Sequence, residues 1–170
     1  MALEIERKFL VDMAALKTSE AWQSRSMIQV HQGFLNCTPN KHGAATRVRL
    51  VKEPKGDSRG CITIKAPGSS SLVRQEFEYD IAAADAEQLL TLCERTVQKS
   101  RHYVQVGSDR WEVDVFEGDN AGLVVAEIEL TSESQEVASP EWVQKEVTDD
   151  PRYLNIKLAV HPYSSWGEAK

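Results

Sequence analysis

Apolar and polar side chains alternate with a period of two along most of the chain, which is the pattern of half-buried β-strands. Glycines and prolines that favour turns separate the alternating runs. The pattern therefore predicts eight strands, which cover residues 3–11, 28–36, 45–51, 60–66, 73–81, 96–106, 109–117 and 123–131.

Two segments have the signals of helices instead. One covers residues 83–95 and has a leucine-rich apolar part. The other covers 139–146 and begins with Ser139 as N-cap and Pro140 at the first helical position. Many strands and few helices predict an α+β, mainly β protein, whose antiparallel strands close or nearly close into a barrel. We expect one domain over residues 1–170, since no linker or repeat divides the chain.

Charged side chains follow the same alternation, so that one face of most strands is charged and the other apolar. Glu4, Glu6 and Lys8 share a face of the first strand, because residues two apart point the same way. The same rule gives the charged faces of the later strands, which carry Arg47 with Arg49, Lys65, Arg74 with Glu76 and Glu78, Lys99 with Arg101, Glu112 with Asp114, and Glu127 with Glu129.

Two interpretations of these faces remain open at this point. Antiparallel strands commonly turn one charged face to water, and that arrangement needs no function. The two predicted helices favour the alternative, in which the charged faces point into the barrel, because each helix needs an apolar surface of the sheet to pack against. Packing them outside the sheet leaves the charged faces lining the interior, which is tolerated only if the charges are hydrated and paired or metal-bound.

The charge balance limits the ligands of such an interior. The chain has a net charge of −6 and a pI near 5.3, which argues against a general nucleic-acid binder. The charged faces hold eight acids and seven bases, a net charge of −1, and two divalent cations would bring it to +3. Carboxylates without His or Cys ligands favour Mg²⁺ or Mn²⁺, and arginine forks suit phosphate oxygens.

The rest of the composition bears on location and partners. No stretch is apolar for long enough to span a bilayer, and the N-terminus lacks the apolar core of a signal peptide. Three widely spaced cysteines form neither a CxxC motif nor a disulfide framework. We therefore expect a cytoplasmic protein with no membrane or nucleic-acid partner. The sequence leaves the oligomeric state open, with a homodimer as one option.

The charged residues, taken in order, resemble the CYTH domain family of triphosphate tunnel metalloenzymes. The segment Glu4-Ile-Glu6-Arg-Lys8 is similar to the ExExK signature, and the series continues through every charged face given above and into the C-terminal segment. The resemblance implies an eight-stranded antiparallel closed tunnel with a charged interior and a few external helices. It also implies a divalent-metal-dependent triphosphatase, similar to short bacterial enzymes that hydrolyse inorganic tripolyphosphate to pyrophosphate and phosphate.

The resemblance also implies roles for individual side chains. Glu4 and Lys99 are implied to be catalytic, and Lys99 matches a lysine that helps to activate the attacking water. The resemblance implies two divalent ions. Their implied ligands are Glu4, Glu6, Asp114, Glu127 and Glu129. The implied phosphate-binding residues are Lys8, Arg47, Arg49, Lys65, Arg74 and Arg101. The other residues expected to line the tunnel are Glu76, Glu78 and Glu112.

Two departures from the family pattern stand out. Phe34 replaces a frequent tyrosine and so removes a hydroxyl that would touch phosphate or water. His102 follows Arg101 and has the opposite strand parity, so we expect it outside the barrel. The C-terminal segment 152–159 is expected to plug one tunnel end, with Lys157 as a further cation there.

Four other functions remain open on the sequence. A class IV adenylyl cyclase, a thiamine triphosphatase or another organic triphosphatase needs a pocket for an organic group, and the lining positions offer no clear aromatic clamp. A non-catalytic polyphosphate-binding module predicts the same lining. The two carboxylate pairs, Glu4 with Glu6 and Glu127 with Glu129, favour catalysis, because polyanion capture does not need so many acids.

Overall fold

The computed structural model describes residues 2–37, 41–69 and 72–167. Nine antiparallel strands form one sheet in the order β5-β4-β3-β2-β6-β7-β8-β1-β9, and β5 also pairs with β1. This last pairing closes β1 to β8 into a barrel, so the predicted eight-stranded closed barrel is confirmed. The strands are β1 (Ala2–Val11), β2 (Ser26–Phe34), β3 (Ala45–Lys52), β4 (Ser58–Pro67), β5 (Val73–Ile81), β6 (Arg95–Val106), β7 (Asp109–Phe116), β8 (Val124–Glu129) and β9 (Val143–Glu146).

Short helices surround the barrel. The described chain contains α1 (Met13–Thr18), α2 (Glu20–Gln23), α3 (Ala83–Thr91) and α4 (Asn155–Val160), with single 3₁₀ turns at Gly118–Asn120, Pro151–Tyr153 and Tyr163–Ser165. The helix predicted over 83–95 forms but ends at Thr91, since Arg95 already begins β6. None of the helices in the described chain has the length and apolar character that crossing a bilayer requires.

The helix predicted over 139–146 is wrong, because Val143–Glu146 forms β9 and pairs with the second half of β1. On that edge of β1, β5 pairs only as far as Ile5. Without a further strand, the second half of this edge of β1 would have backbone N–H and C=O groups without partners. β9 and the residue after it supply those partners, and Val147 N–H donates to the Lys8 carbonyl at 2.8 Å.

The apolar strand faces point outwards and form the core with the helices. On one side α3 covers β3 and β4, where Ala86 and Leu90 pack on Val48 and Leu50. On the other side α1, α2 and the segment before β9 cover β1, β6, β7 and β8, and Trp142 packs edge-on against Trp111 at 5.3 Å. The charged faces therefore line the interior, which is the second of the two interpretations above.

One end of the barrel interior is apolar. Phe34, Val97, Phe116 and Val125 project inwards there and pack with Leu158 of α4. α4 thus lies across part of this end, as expected of the C-terminal segment. Charged side chains occupy most of the rest of the interior, apart from a smaller apolar patch of Ile28, Val30 and Val51 on β2 and β3.

Gly33 faces outwards from β2, and α3 approaches it closely. A Cβ atom at this position would lie 2.7 Å from both the Cβ and the Sγ atoms of Cys93. We expect Gly33→Ala to lower the free energy of unfolding by about 1–3 kcal/mol, because Cys93, two residues after the end of α3, must shift to make room. Urea unfolding measures this change. Gly167→Ala, where a Cβ meets nothing within 4 Å, is the control and should have little effect.

Candidate active site

A cavity of about 840 Å³ occupies the barrel interior and is lined by residues from all eight barrel strands and from α4. It reaches Asp109 and Arg110 at one end of the barrel, and Gly43, Pro67 and Lys157 at the other. Most of the predicted charged residues line it, namely Glu4, Glu6, Lys8, Arg47, Arg49, Lys65, Arg74, Arg101, Glu112, Glu127 and Glu129.

Acids and bases are concentrated on different walls of this cavity. β1, β7 and β8 are neighbours, and their register sets Glu6 opposite Glu129 and Glu112 opposite Glu127. β3, β4 and β5 form another wall, which carries the predicted phosphate-binding bases Arg47, Arg49, Lys65 and Arg74. A ligand in the cavity therefore meets carboxylates on one side and cations on another.

Short ion pairs compensate the carboxylates, both between the two walls and within the acidic wall. The Lys65 ammonium lies 2.5 Å from Glu4 Oε2, and the Lys8 ammonium lies 2.9 Å from Glu6 Oε1 and 2.5 Å from Glu127 Oε1. These pairs compensate charges that would otherwise be costly in a largely buried interior. Glu4, Glu6 and Glu127, three of the five predicted metal ligands, thus each have a basic partner.

The ion pairs set the protonation of these groups. Burial opposes charge on Glu6 and Glu127, but Lys8 and the other nearby bases outweigh it and lower the pKa of both carboxyls. Burial also opposes charge on Lys8, yet Glu127 and Glu6 raise the pKa of its ammonium. Glu4 differs, because burial and then Glu6 raise the pKa of its carboxyl despite Lys65.

Behind the acidic wall lies a buried cluster of Lys99, Arg101 and Asp114. Asp114 is completely buried, and Arg101 donates to both of its oxygens at 2.7 Å and to Glu127 at 2.8 Å. Lys99, only 1% exposed, donates to Asp114 and lies 3.5 Å from Asn155 Oδ1. Lys99 and Asp114 are therefore beneath the cavity wall, and Asn155 connects the lysine with the cavity.

Charge compensation in this cluster is uneven. Burial lowers the pKa of Lys99 to about 8, with help from Arg101 and against Asp114. Burial favours the neutral form of Asp114 too, but Arg101 and Lys99 lower the pKa of its carboxyl. Arg101 alone makes a bidentate pair with Asp114, so the carboxylate stays compensated even where Lys99 is neutral.

Asp114 should be essential for folding as well as for the site. We expect Asp114→Asn to lower the free energy of unfolding by about 3–5 kcal/mol, because it removes the carboxylate that compensates two buried cations. Chemical denaturation measures the loss. Asp119→Asn, outside the barrel interior in the Gly118–Asn120 turn, is the control. A loss no larger than that of the control would contradict this role for Asp114.

Arg47 occupies a different environment on the basic wall. Its terminal nitrogen lies 2.9 Å from Thr63 Oγ1 and between 3.6 and 3.7 Å from Glu78 and Glu76. Burial and the neighbouring Arg49 lower the pKa of Arg47 to about 10 against those two acids. Glu76 and Glu78, which were expected to line the tunnel, thus pair with Arg47 on the basic wall and do not contact the cavity.

The structure adds residues that sequence reasoning missed. Arg110 lines the cavity and its guanidinium lies 4.0 Å above the Tyr103 ring. Arg110 could have been predicted to face the interior, because it lies two residues before Glu112 on the same strand. Asn155 and Thr148 also line the cavity, but no strand alternation marks them.

Two earlier expectations about neighbouring residues agree with the structure. Lys157 lines the cavity, as does Phe34, the residue that replaces the frequent tyrosine. His102 lies outside the barrel, where its ring packs on Trp22 and its Nδ1 accepts a hydrogen bond from Arg25 at 3.2 Å. His102 is therefore structural.

The donor set fits a small hard divalent cation. Glu4, Glu6, Glu127 and Glu129 present carboxylate oxygens to one cavity. Within residues 2–37, 41–69 and 72–167, no three His, Cys, Asp or Glu side chains come close enough together to form a preformed metal cage. A cation that keeps several waters and uses one or two carboxylates together with substrate phosphates does not need such a cage.

Known proteins resemble the chain over nearly its whole length. The CYTH domain family model matches residues 2–159. An inorganic triphosphatase of Acetivibrio thermocellus is 37% identical over 171 residues, which cover 99% of this chain and 100% of that protein. An inorganic triphosphatase of Nitrosomonas europaea is 34% identical over 161 residues, which cover 92% and 97% of the two chains. The crystal structure of the inorganic triphosphatase NE1496 matches with a TM-score of 0.64 at 32% identity, covering 94% of this chain and 96% of that one. This chain therefore belongs to the CYTH domain family.

Proposed function

We propose that this protein is a metal-dependent tripolyphosphatase that hydrolyses inorganic tripolyphosphate to pyrophosphate and phosphate. The observation that carries the proposal is one cavity of about 840 Å³ with carboxylates on one wall and arginines and lysines on another. That division suits a substrate with a dense negative charge and accompanying cations. The name shared by the two curated relatives supports the same activity.

In this proposal the basic wall binds the phosphate chain. Arg47 and Arg49 offer planar forks to phosphoryl oxygens, and Lys65 and Arg74 add charge beside them. The carboxylates Glu4, Glu6, Glu127 and Glu129 would hold two Mg²⁺ or Mn²⁺ ions. When bound, such ions neutralise phosphate oxygens and lower the pKa of a water ligand. Asp114, which the sequence also suggested as a ligand, lies beneath the cavity wall with both oxygens paired, so in this proposal it compensates Arg101 and Lys99 instead of binding metal.

Substrate binding would exchange the partners of the interior charges. Without a ligand, Glu4 is held by Lys65, and both Glu6 and Glu127 are held by Lys8. Phosphate oxygens would take over these ammonium groups and release the carboxylates for metal. The exchange avoids leaving buried charges without partners at either stage.

The chemical step in this proposal is in-line attack by water on a terminal phosphorus, and the bridging oxygen leaves with pyrophosphate. In this proposal the proton of the water would go to the neutral amine of Lys99, which lies just beneath the cavity wall beside Asn155 and whose pKa is lowered to about 8. Arg101 compensates Asp114 by itself, so Lys99 is not required to stay charged for the fold. The bases around the transferred group stabilise its charge, which is most of what phosphoryl transfer demands.

The identity of the substrate is tested by comparing kcat/KM for tripolyphosphate, ATP and thiamine triphosphate, with quantification of the products. We expect the highest value for tripolyphosphate and one phosphate released for each pyrophosphate. A higher value for ATP or thiamine triphosphate would replace the proposal with an organic triphosphatase. Cyclic AMP as the product from ATP would indicate an adenylyl cyclase. Tight binding of tripolyphosphate without any turnover would indicate a polyphosphate-binding module.

A further inference from the structure

Four of the five buried side-chain atoms that lack a hydrogen-bond partner in the described chain lie together on β2 and β3. They are Gln32 Nε2, Gln32 Oε1, Arg47 Nε and Arg49 Nε. A buried polar atom without a partner costs about 1–3 kcal/mol, so native structures hold few of them. Their concentration in one part of the barrel wall indicates that this part is completed by a ligand.

The register places Gln32 beside Arg49. The two residues are direct partners in the β2–β3 pairing, and both side chains point into the barrel. Arg49 lines the cavity, whereas Gln32 is completely buried and does not. The glutamine amide therefore lies behind the arginine as seen from the cavity.

Arg49 is also the least compensated of the predicted interior bases. Lys8, Arg47, Lys65, Arg74, Lys99 and Arg101 each have a carboxylate within 4.0 Å. For Arg49, the described chain offers none at that distance. Its neighbour Gln32 is a neutral amide, which offers an acceptor oxygen without cancelling the positive charge.

We propose that Gln32 is a positioning residue for Arg49. In the substrate complex its Oε1 accepts the hydrogen bond of Arg49 Nε, and the two terminal nitrogens of the guanidinium then face a phosphate group. An arginine fork binds phosphate best when both terminal nitrogens point at the oxygens, which requires its orientation to be fixed. A carboxylate at position 32 would fix the fork too, but it would neutralise the charge that the phosphate needs. This inference rests on the proposed function and adds a residue to its substrate site.

The test compares Gln32→Met and Gln32→Glu with the wild type. Steady-state kinetics with tripolyphosphate and Mg²⁺ gives kcat and KM, and thermal unfolding without ligand gives Tm. Gln29→Met, on the exposed outer face of the same strand, is the matched control and should change none of the three quantities.

For Gln32→Met we expect KM to rise about tenfold, which equals about 1.4 kcal/mol, with kcat within about twofold of wild type. Tm should rise by roughly 2–4 °C, because two buried polar atoms without partners are replaced by apolar ones. Gln32→Glu should raise KM by more than Gln32→Met does and should not lower Tm. Weaker substrate binding in a more stable protein is a combination that a structural role does not produce.

Two results would overturn the inference while leaving the proposed function intact. One is an unchanged KM in Gln32→Met, and the other is a lower Tm in that variant, which would make the glutamine a structural residue. Absence of tripolyphosphate turnover in the wild type is a different result. It would overturn the proposed function and, with it, this inference.

Discussion

Replacing Glu4 with Gln is expected to reduce kcat for tripolyphosphate by at least about 100-fold. Substituting residues that only orient the direct ligands of a metal already lowers metal affinity or activity by about 10- to 100-fold. Loss of a direct ligand should therefore cost at least as much. Glu4 lines the cavity and is held by Lys65 at 2.5 Å, so the substitution removes an oxygen ligand without creating a void. The loss should fall on turnover more than on substrate binding. Phosphate release at saturating substrate gives kcat, and KM reports the change in binding.

Glu87→Gln is the matched control for this variant, since Glu87 is exposed on α3 outside the barrel. It should retain full activity. Equal losses in kcat and in binding affinity for Glu4→Gln would contradict a metal-binding role, and so would no loss in either. The first outcome would favour a carboxylate that only shapes the tunnel.

Replacing Lys99 is expected to have the second large effect. If Lys99 Nζ accepts the proton of the attacking water, Lys99→Met should lower kcat by about 10²- to 10⁴-fold, the usual contribution of a general base. Lys99→Arg should be nearly as inactive, because an arginine keeps the charge beside Asp114 but does not accept a proton. Both variants should fold, since Arg101 still compensates Asp114.

Steady-state kinetics and thermal unfolding on the same preparations measure these two variants. Lys52→Met, at the exposed end of β3, is the control. High activity in Lys99→Arg together with low activity in Lys99→Met would contradict the role as base. That result would assign Lys99 to compensation of Asp114 alone.

The barrel and its charged faces could be predicted from the sequence because both follow from alternation along single strands. Glu4, Glu6 and Lys8 share a face by geometry alone, whatever their neighbours are. The order of the strands does not follow from alternation, and neither the pattern nor the resemblance predicted it. The helix prediction for residues 139–146 failed because Ser139 and Pro140 are local signals for a helix start. The free edge of β1 with which β9 pairs exists only in the closed barrel.

The ion-pair partners of the interior charges could not be predicted from the sequence either, because they too depend on closure of the barrel. Lys65 and Glu4 are 61 residues apart, and Lys8 and Glu127 are 119 apart. Their contacts depend on how strands that are distant in the chain close into one barrel. Gln32 was missed because a neutral amide does not stand out in a charge pattern. Its stretch Gln32-Gly33-Phe34-Leu35 is part of the family resemblance, but its complete burial without a hydrogen-bond partner, beside Arg49, is what points to a role.

The most direct test of the central claim is the initial rate of phosphate release from tripolyphosphate with Mg²⁺, with Mn²⁺ and with excess chelator. The account predicts rapid release with at least one of the two ions, and loss of release in chelator that is reversed when the metal is restored. Release that continues unchanged in excess chelator would contradict it, because the acidic wall of the cavity would then have no role in the reaction.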